Sequence, residues 1–307
     1  MHPSSERCVI GVDVGGTKIA TGVVRLPRGD VVTRRLQPTA PERGGQALLD
    51  DVIGLIRALQ AEAKQKNHTL SAIGIGVAEL VDRSGQIVSD STIRWRAVPV
   101  AQVIQDATGL SVCLEADVRA AARAEAALGA GQGSDCFLYI TIGTGISAAL
   151  VLYGAPYVGA HGLSGTFASS PIVVPGDDDV REAAIPLEQF ASGPALAARL
   201  SALRPGFEGT AADVLALAAG GDQLAGQIAR SAGRASGAAI AHVVNVLDPE
   251  LVVLGGGLGL AGGLYRDSLQ QEMIRSIWAD AHRDLPLVNA QLGRDAGWIG
   301  AGLAALA

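Results

Sequence analysis

Three glycine clusters hold the residue types that handle phosphate. In Asp13-Val14-Gly15-Gly16-Thr17-Lys18 the glycines lack a Cβ, so backbone N–H groups can approach phosphate oxygens. The Thr17 hydroxyl adds a donor and Lys18 adds positive charge, while Asp13 is suited to positioning a hydrated Mg²⁺. The spacing is not that of a Walker A loop, and taken alone such a turn serves equally well as a plain β-hairpin. Thr141-Ile142-Gly143-Thr144-Gly145-Ile146 follows the same logic. Gly255-Gly256-Gly257, directly after an apolar run, leaves bare backbone against which adenine or ribose can lie. Each cluster is weak singly, but the three in this order describe a nucleotide site.

These clusters need rigid elements to hold them, and strand and helix patterns alternate along the chain. Residues 8–14 and 19–25 read as Val- and Ile-rich strands joined by the 15–18 turn, with a third strand over 31–37. Leu48, Leu49, Val52, Ile53, Leu55, Ile56 and Leu59 recur at helical spacing within 45–66, and a buried strand follows at 72–77. A hairpin-like unit passes through Asp82-Arg83-Ser84-Gly85, then a helix covers 100–108, a strand 111–115 and an Ala-rich helix 120–128. Strands at 136–141, 146–153 and 155–158 repeat the glycine-turn meander. Two similar units in one chain imply duplicated α/β domains. Later helices span 194–203, 211–219 and 224–247, and a strand at 251–254 leads into the third glycine cluster. Residues 171–186, with Asp177-Asp178-Asp179, have the weakest pattern and read as a surface loop.

Composition excludes several classes of function. A length of 307 residues accommodates two domains with a sizeable core, and 49% hydrophobic against 18% charged residues describes a globular chain. A net charge of -6 with scattered Lys and Arg disfavours nucleic-acid binding. The N-terminus lacks a signal-peptide pattern and no apolar stretch reaches membrane-spanning length, so a cytoplasmic protein without membrane association is expected. Cys8, Cys113 and Cys136 each lie in an apolar run, where a free cysteine acts as a small hydrophobe.

The chain resembles the ROK family over nearly its whole length. The resemblance is carried by Gly11–Lys18, Gly74-Ile75-Gly76-Val77, Glu115-Ala116-Asp117, Gly143–Ile146, Gly159-Ala160-His161-Gly162 through Gly165, Leu254–Gly257 and Ile299-Gly300-Ala301. It implies two ribonuclease-H-like domains of the actin/hexokinase type around a central cleft. The first would cover residues 1–119, completed by a C-terminal helix near 296–307, and the second 120–295. It further implies ATP and Mg²⁺ as cofactors, a sugar-like acceptor and a homodimer. Asp117 matches the family's general base. Its placement after a strand and before a helix suits a ligand-facing carboxylate, although it also suits a helix cap.

The departures fall on the acceptor side. Thr166 and Ser169 stand where the family carries the Glu and His of E-x-G-H, Ala116 replaces the Asn beside the base, Thr92 replaces another Asn, and Ala78-Glu79 replaces Pro-Gly. No Cys follows Cys136, so the family's structural zinc cluster cannot be assembled, which leaves His161 without those metal partners. The expected enzyme is therefore an ATP-dependent kinase whose acceptor is an unusual sugar, amino sugar, polyol or cyclitol. Glu79, Thr92, Ala116, Asp117, His161, Thr166 and Ser169 would face that acceptor, with Glu79 a candidate partner for an amino group. Arg94 and Arg119 are possible ligand contacts that equally suit a surface position or a helix start. The alternative is a ROK-like sensor that binds ligand without transfer. A repressor is not expected, because the Asp13 motif leaves no room for a preceding winged helix.

Overall fold

The computed structural model describes residues 7–175 and 182–307. In chain order the elements are β1 (Arg7–Val14), β2 (Lys18–Leu26), β3 (Asp30–Pro38), α1 (Gly45–Gln65), β4 (Leu70–Val77), α2 (Val100–Thr108), β5 (Val112–Ala116), α3 (Asp117–Leu128), β6 (Cys136–Ile142), β7 (Ile146–Leu152) and β8 (Ala155–Pro156). They continue with β9 (Pro171–Pro175), β10 (Glu182–Pro186), α4 (Leu187–Ala191), α5 (Gly193–Leu203), α6 (Ala211–Ala219), α7 (Gln223–Leu247), β11 (Leu251–Gly255), α8 (Leu264–Ser276), β12 (Leu287–Asn289) and α9 (Ala296–Ala304).

One sheet has the order β3-β2-β1-β4-β5 and another the order β12-β11-β6-β7-β8, so reading the second backwards reproduces the first. β1, β2 and β3 form an antiparallel meander, whereas β4 lies parallel to β1 and β5 parallel to β4. In the second sheet β11 is likewise parallel to β6 and β12. The repeated glycine-turn meander is thus one topology used twice.

The chain divides into one compact unit of Met1–Gly133, Val151–Ser164 and Gln291–Ala307, and another of Ser134–Leu150 and Gly165–Ala290. The expected division at residue 120 therefore moves. α3 belongs to the first unit, because its small residues admit α9: a Cβ on Gly300 would lie 1.6 Å from the Ala120 carbonyl oxygen. Gly74 performs the same service on β4, where a Cβ would meet the Ala301 oxygen at 1.7 Å. The rest of this core is aliphatic. Leu48, Leu49, Val52, Ile56, Leu59 and Ala63 form the buried stripe of α1, against Ile10, Val12, Ile73 and Ile75 of the sheet. In the second unit Ile140, Ile142, Val252 and Leu254 pack with Ile228, Ile240, Tyr265 and Leu269.

Several segments differ from expectation, α4 and β12 among them, which the pattern reading left without an element. The arms of 171–186 pair as an antiparallel hairpin, with Ile172 opposite Ile185, rather than forming a loop; β-branched residues favour this extended state. The Asp177-Asp178-Asp179 run lies outside the described residues. Helix α8 has no counterpart in the pattern reading. Cys8, Cys113 and Cys136 lie in β1, β5 and β6 as free thiols. Among the described residues no helix is long and apolar enough to cross a membrane.

Candidate active site

In the first unit the turn after β1 is fixed from three directions. The Gly15 N–H donates to the Lys18 carbonyl at 3.0 Å, the Thr39 N–H donates to the Thr17 carbonyl at 3.1 Å, and the Thr39 hydroxyl donates to the Gly15 carbonyl at 2.6 Å. Parallel pairing then aligns the chemistry. Asp13 is in register with Gly76, Gly76 with Glu115, and Val77 with Ala116, so Asp13 and Asp117 stand at the same carboxyl edge of the sheet. Asp117 is the first residue of α3 and accepts from the Val118 N–H at 2.6 Å.

Burial pushes the Asp13 carboxyl up to about 7, helped by the charge of Asp117 and opposed by Lys18. Asp117 is raised to about 6, again chiefly by burial; the Val118 N–H and Arg119 oppose the shift and the Glu79 charge adds to it. Two desolvated acids beside a phosphate-type turn fit a divalent cation, which would offset the charge they hold poorly in the bare protein. The stability consequence has a definite sign. The folded-state value of Asp13 lies above its ordinary 3.8, so its contribution is full below that value and is lost as pH rises through about 7. Asp13→Asn should therefore melt higher than wild type at pH 8 without Mg²⁺ or nucleotide. The expected gain is about 1–3 kcal/mol after allowance for partial exposure, shrinking towards zero near pH 4. Thermal melts at the two pH values check this, and a lower melting temperature for the variant at pH 8 would contradict it.

Glu79, two residues past β4, is not a free pocket carboxylate. It is 6% exposed, and it accepts from the Thr92 N–H at 2.5 Å, the Ile93 N–H at 2.7 Å, the Ser91 N–H at 3.0 Å and the Ser89 hydroxyl. Burial alone would raise this carboxyl, but the bonds from Ser89, Ile93, Thr92 and Ser91 outweigh it and hold Glu79 below the usual carboxylate range. Its expected pairing with a ligand amine is replaced by pairing with its own chain. Thr92 packs on the phosphate-type turn, since a Cβ on Gly16 would come within 2.9 Å of the Thr92 methyl. Ala116, buried at the end of β5, offers only a methyl.

Arg119 is likewise internal. Its guanidinium donates to Glu115 Oε1 at 2.6 Å, to the Val81 carbonyl at 2.8 Å and to the Gly162 carbonyl. It thereby ties down the segment carrying His161, which is itself exposed, as is Arg94. The possibility that Arg119 contacts ligand gives way to a tie between three segments of the chain.

In the second unit the Gly143–Gly145 turn joins β6 to β7, and the Gly143 N–H donates to the Gly145 carbonyl at 2.9 Å. The Leu258 and Gly259 N–H groups both donate to the Ile142 carbonyl, at 3.0 and 2.9 Å, which brings Gly255-Gly256-Gly257 beside this turn. Two residues absent from the expected site also hold it. Glu188 accepts from the Ile146 N–H at 2.8 Å, and the Gly193 N–H at the start of α5 donates to the Gly143 carbonyl at 2.8 Å. The Ser192-Gly193-Pro194 string carries a readable helix-start signal, whereas Glu188 leaves none in the local pattern. Thr166 and Ser169 are exposed and flank one short 3₁₀ turn, where the Ser169 N–H donates to the Thr166 carbonyl at 3.1 Å.

The sequence profile of the ROK family matches residues 9–307. The chain belongs to the ROK family. Among its ROK relatives, the glucokinase of Streptomyces coelicolor is 31% identical over 312 residues, covering 95% of each chain. The bifunctional enzyme NanE/NanK of Brucella melitensis is 33% identical over 302 residues, which are 97% of this chain and 53% of that protein. The crystal structure of a ROK glucokinase from Streptomyces griseus, in complex with glucose and AMPPNP, superposes with a TM-score of 0.79 at 30% identity, covering 97% of this chain and 99% of that one. The two five-stranded sheets of this ROK chain are accordingly those of the actin/hexokinase-like sugar-kinase fold.

Proposed function

We propose that the protein is an ATP-dependent kinase that phosphorylates a hydroxyl of a sugar-like small molecule, with Asp117 as general base. The observation that carries this reading is the alignment of Asp13 and Asp117 on one carboxyl edge beside the Gly15–Lys18 turn. Relatives that are glucokinases, and a structural neighbour seen with AMPPNP, support the use of ATP and a sugar acceptor. Asp117, raised to about 6, is ionised at neutral pH yet basic enough to take the proton of an attacking hydroxyl. Asp13 and Lys18 supply opposite charges at the phosphate end, and Asp13 would hold hydrated Mg²⁺, which supplies charge neutralisation to the transferring phosphoryl group. Gly143–Gly145 and Gly255–Gly257 supply close backbone for the nucleotide.

The acceptor we propose is not unmodified glucose. At the sequence positions where the family's motifs carry Asn, Glu and His, Thr92, Ala116, Thr166 and Ser169 offer short hydroxyls or a methyl, which favours an unusual sugar, polyol or cyclitol. With Glu79 engaged by its own chain, an amino sugar has no carboxylate reserved for it there. ADP release should be measured with Mg-ATP and a panel of glucose, mannose, N-acetylmannosamine, glucosamine, sorbitol and myo-inositol. A non-glucose acceptor should exceed glucose in kcat/KM by about tenfold or more, the scale of one lost hydrogen bond to a charged group. Glucose as the best acceptor would remove the weight placed on Thr166 and Ser169.

A further inference from the structure

The backbone N–H groups of Ser91, Thr92 and Ile93 converge on one carboxylate, Ser91 on Oε2 and the other two on Oε1, and three successive amides arranged in this way form a nest, a backbone shape that ordinarily receives an anion. Here the anion is internal. The Glu79 carboxylate fills the nest, with the Ser89 hydroxyl as a fourth donor, and the same hydroxyl accepts from the Leu80 N–H at 2.8 Å. The Val88 N–H donates to the Leu80 carbonyl at 2.9 Å, so the excursion from 79 to 93 is closed on itself at this carboxylate. Beyond the nest Ile93 and Trp95 are buried, and the Trp95 indole N–H donates to the Gly45 carbonyl at 2.7 Å. Thr92 is therefore held on both sides, with its methyl against Gly16.

We propose that Glu79 is a positioning residue for the acceptor site: by filling the 91–93 nest it fixes Thr92 in one conformation and so sets acceptor affinity without touching phosphate or acceptor. This rests on the reading of Thr92 as an acceptor contact. A Gln at 79 has nearly the same shape but only one acceptor oxygen, and its NH₂ would face an N–H that needs an acceptor. The nest then loses its anion, and the segment it holds gains alternatives. The turn at Gly15–Lys18 keeps its own ties through Thr39, so nucleotide binding should not follow the loop.

The test compares wild type, Glu79→Gln and Glu79→Asp with the sugar panel named above, by thermal shift and calorimetry for binding and by ADP release for turnover. In Glu79→Gln the KM or Kd for the preferred acceptor should rise about 10–100-fold, the scale of a small misplacement, while the KM for ATP changes less than about threefold. Glu79→Asp, which restores charge at shorter reach, should fall between the two and keeps the question open to test if Glu79→Gln folds poorly. A fall in melting temperature with acceptor affinity unchanged would reduce Glu79 to a merely structural role and overturn the proposal. If a sugar binds wild type without ADP release and Glu79→Gln loses that binding, positioning stands and the kinase reading fails instead. If no member of the panel binds wild type at millimolar concentration, the assignment of Thr92 to an acceptor site fails and the proposal with it.

Discussion

Replacing Asp117 with Asn should lower phosphoryl transfer by roughly 10²–10⁴, the usual scale for a positioned base, while leaving ATP affinity near the wild-type value. Asn is the informative substitute because it keeps the side-chain oxygen that accepts from the Val118 N–H at 2.6 Å. If Asp117 did no more than cap the start of α3, Asn would serve almost as well, so near-normal turnover in the variant would return the residue to that role. The pH dependence gives a second reading of the same group. A base must be ionised, so wild-type kcat/KM should fall as pH drops through about 6, where burial places Asp117. Asp13 sits on the same edge at about 7, so the pair should titrate in two macroscopic steps rather than one. The residual activity of Asp117→Asn should have lost the step that belongs to the base.

Arg119→Met should be the most destabilising single change among the polar residues around this site. Arg119 is 3% exposed, and its removal leaves Glu115 with Arg123 at 3.7 Å as its remaining cation among the described residues. The Val81 and Gly162 carbonyls lose a donor in the same step. Breaking a buried pair on one side costs about 3–5 kcal/mol, or on the order of 10 °C in melting temperature for a unit of this size. The double variant Glu115→Met with Arg119→Met should recover part of that stability, because the pair is then replaced on both sides by apolar groups, while Arg123 loses Glu115 at 3.7 Å and the Ala116 N–H loses its acceptor at 3.0 Å. It should not recover function fully, since Gly162 and the neighbouring His161 would still lack their tie. Calorimetric melts of the three proteins check this; a single variant within about 2 °C of wild type would show that the network bears little of the fold's stability.

The parts of the fold that were legible are those in which one face is purely apolar or a turn needs glycine. β1, β2 and the turn between them follow from Val- and Ile-rich runs on either side of Gly15-Gly16, and α1 from its leucine stripe. α8 escaped because its buried face at Tyr265, Ser268, Leu269, Glu272 and Met273 has helical spacing but mixes in two polar residues. The hairpin arms at Pro171–Pro175 and Glu182–Pro186 are short and bounded by proline, which reads as a breaker until the partner strand is known. The site divides on the same principle. Glycine clusters declare themselves through backbone chemistry. Glu79 does not, because its partners lie 10–14 residues away, and Arg119 shows only its i,i+4 spacing to Glu115, while its bonds to carbonyls 38 and 43 residues away leave no local pattern. A charged residue next to a candidate base thus looks like a ligand contact in the sequence, and the structure makes it part of the frame.

Phosphoryl transfer from ATP to a sugar-like hydroxyl is visible in ³¹P NMR of a running reaction. The purified protein, Mg-ATP and the preferred acceptor of the panel should yield ADP and a phosphomonoester in a one-to-one ratio, neither forming when the acceptor is omitted. ADP accompanied by inorganic phosphate alone, or tight binding of an acceptor with no phosphomonoester, would contradict it.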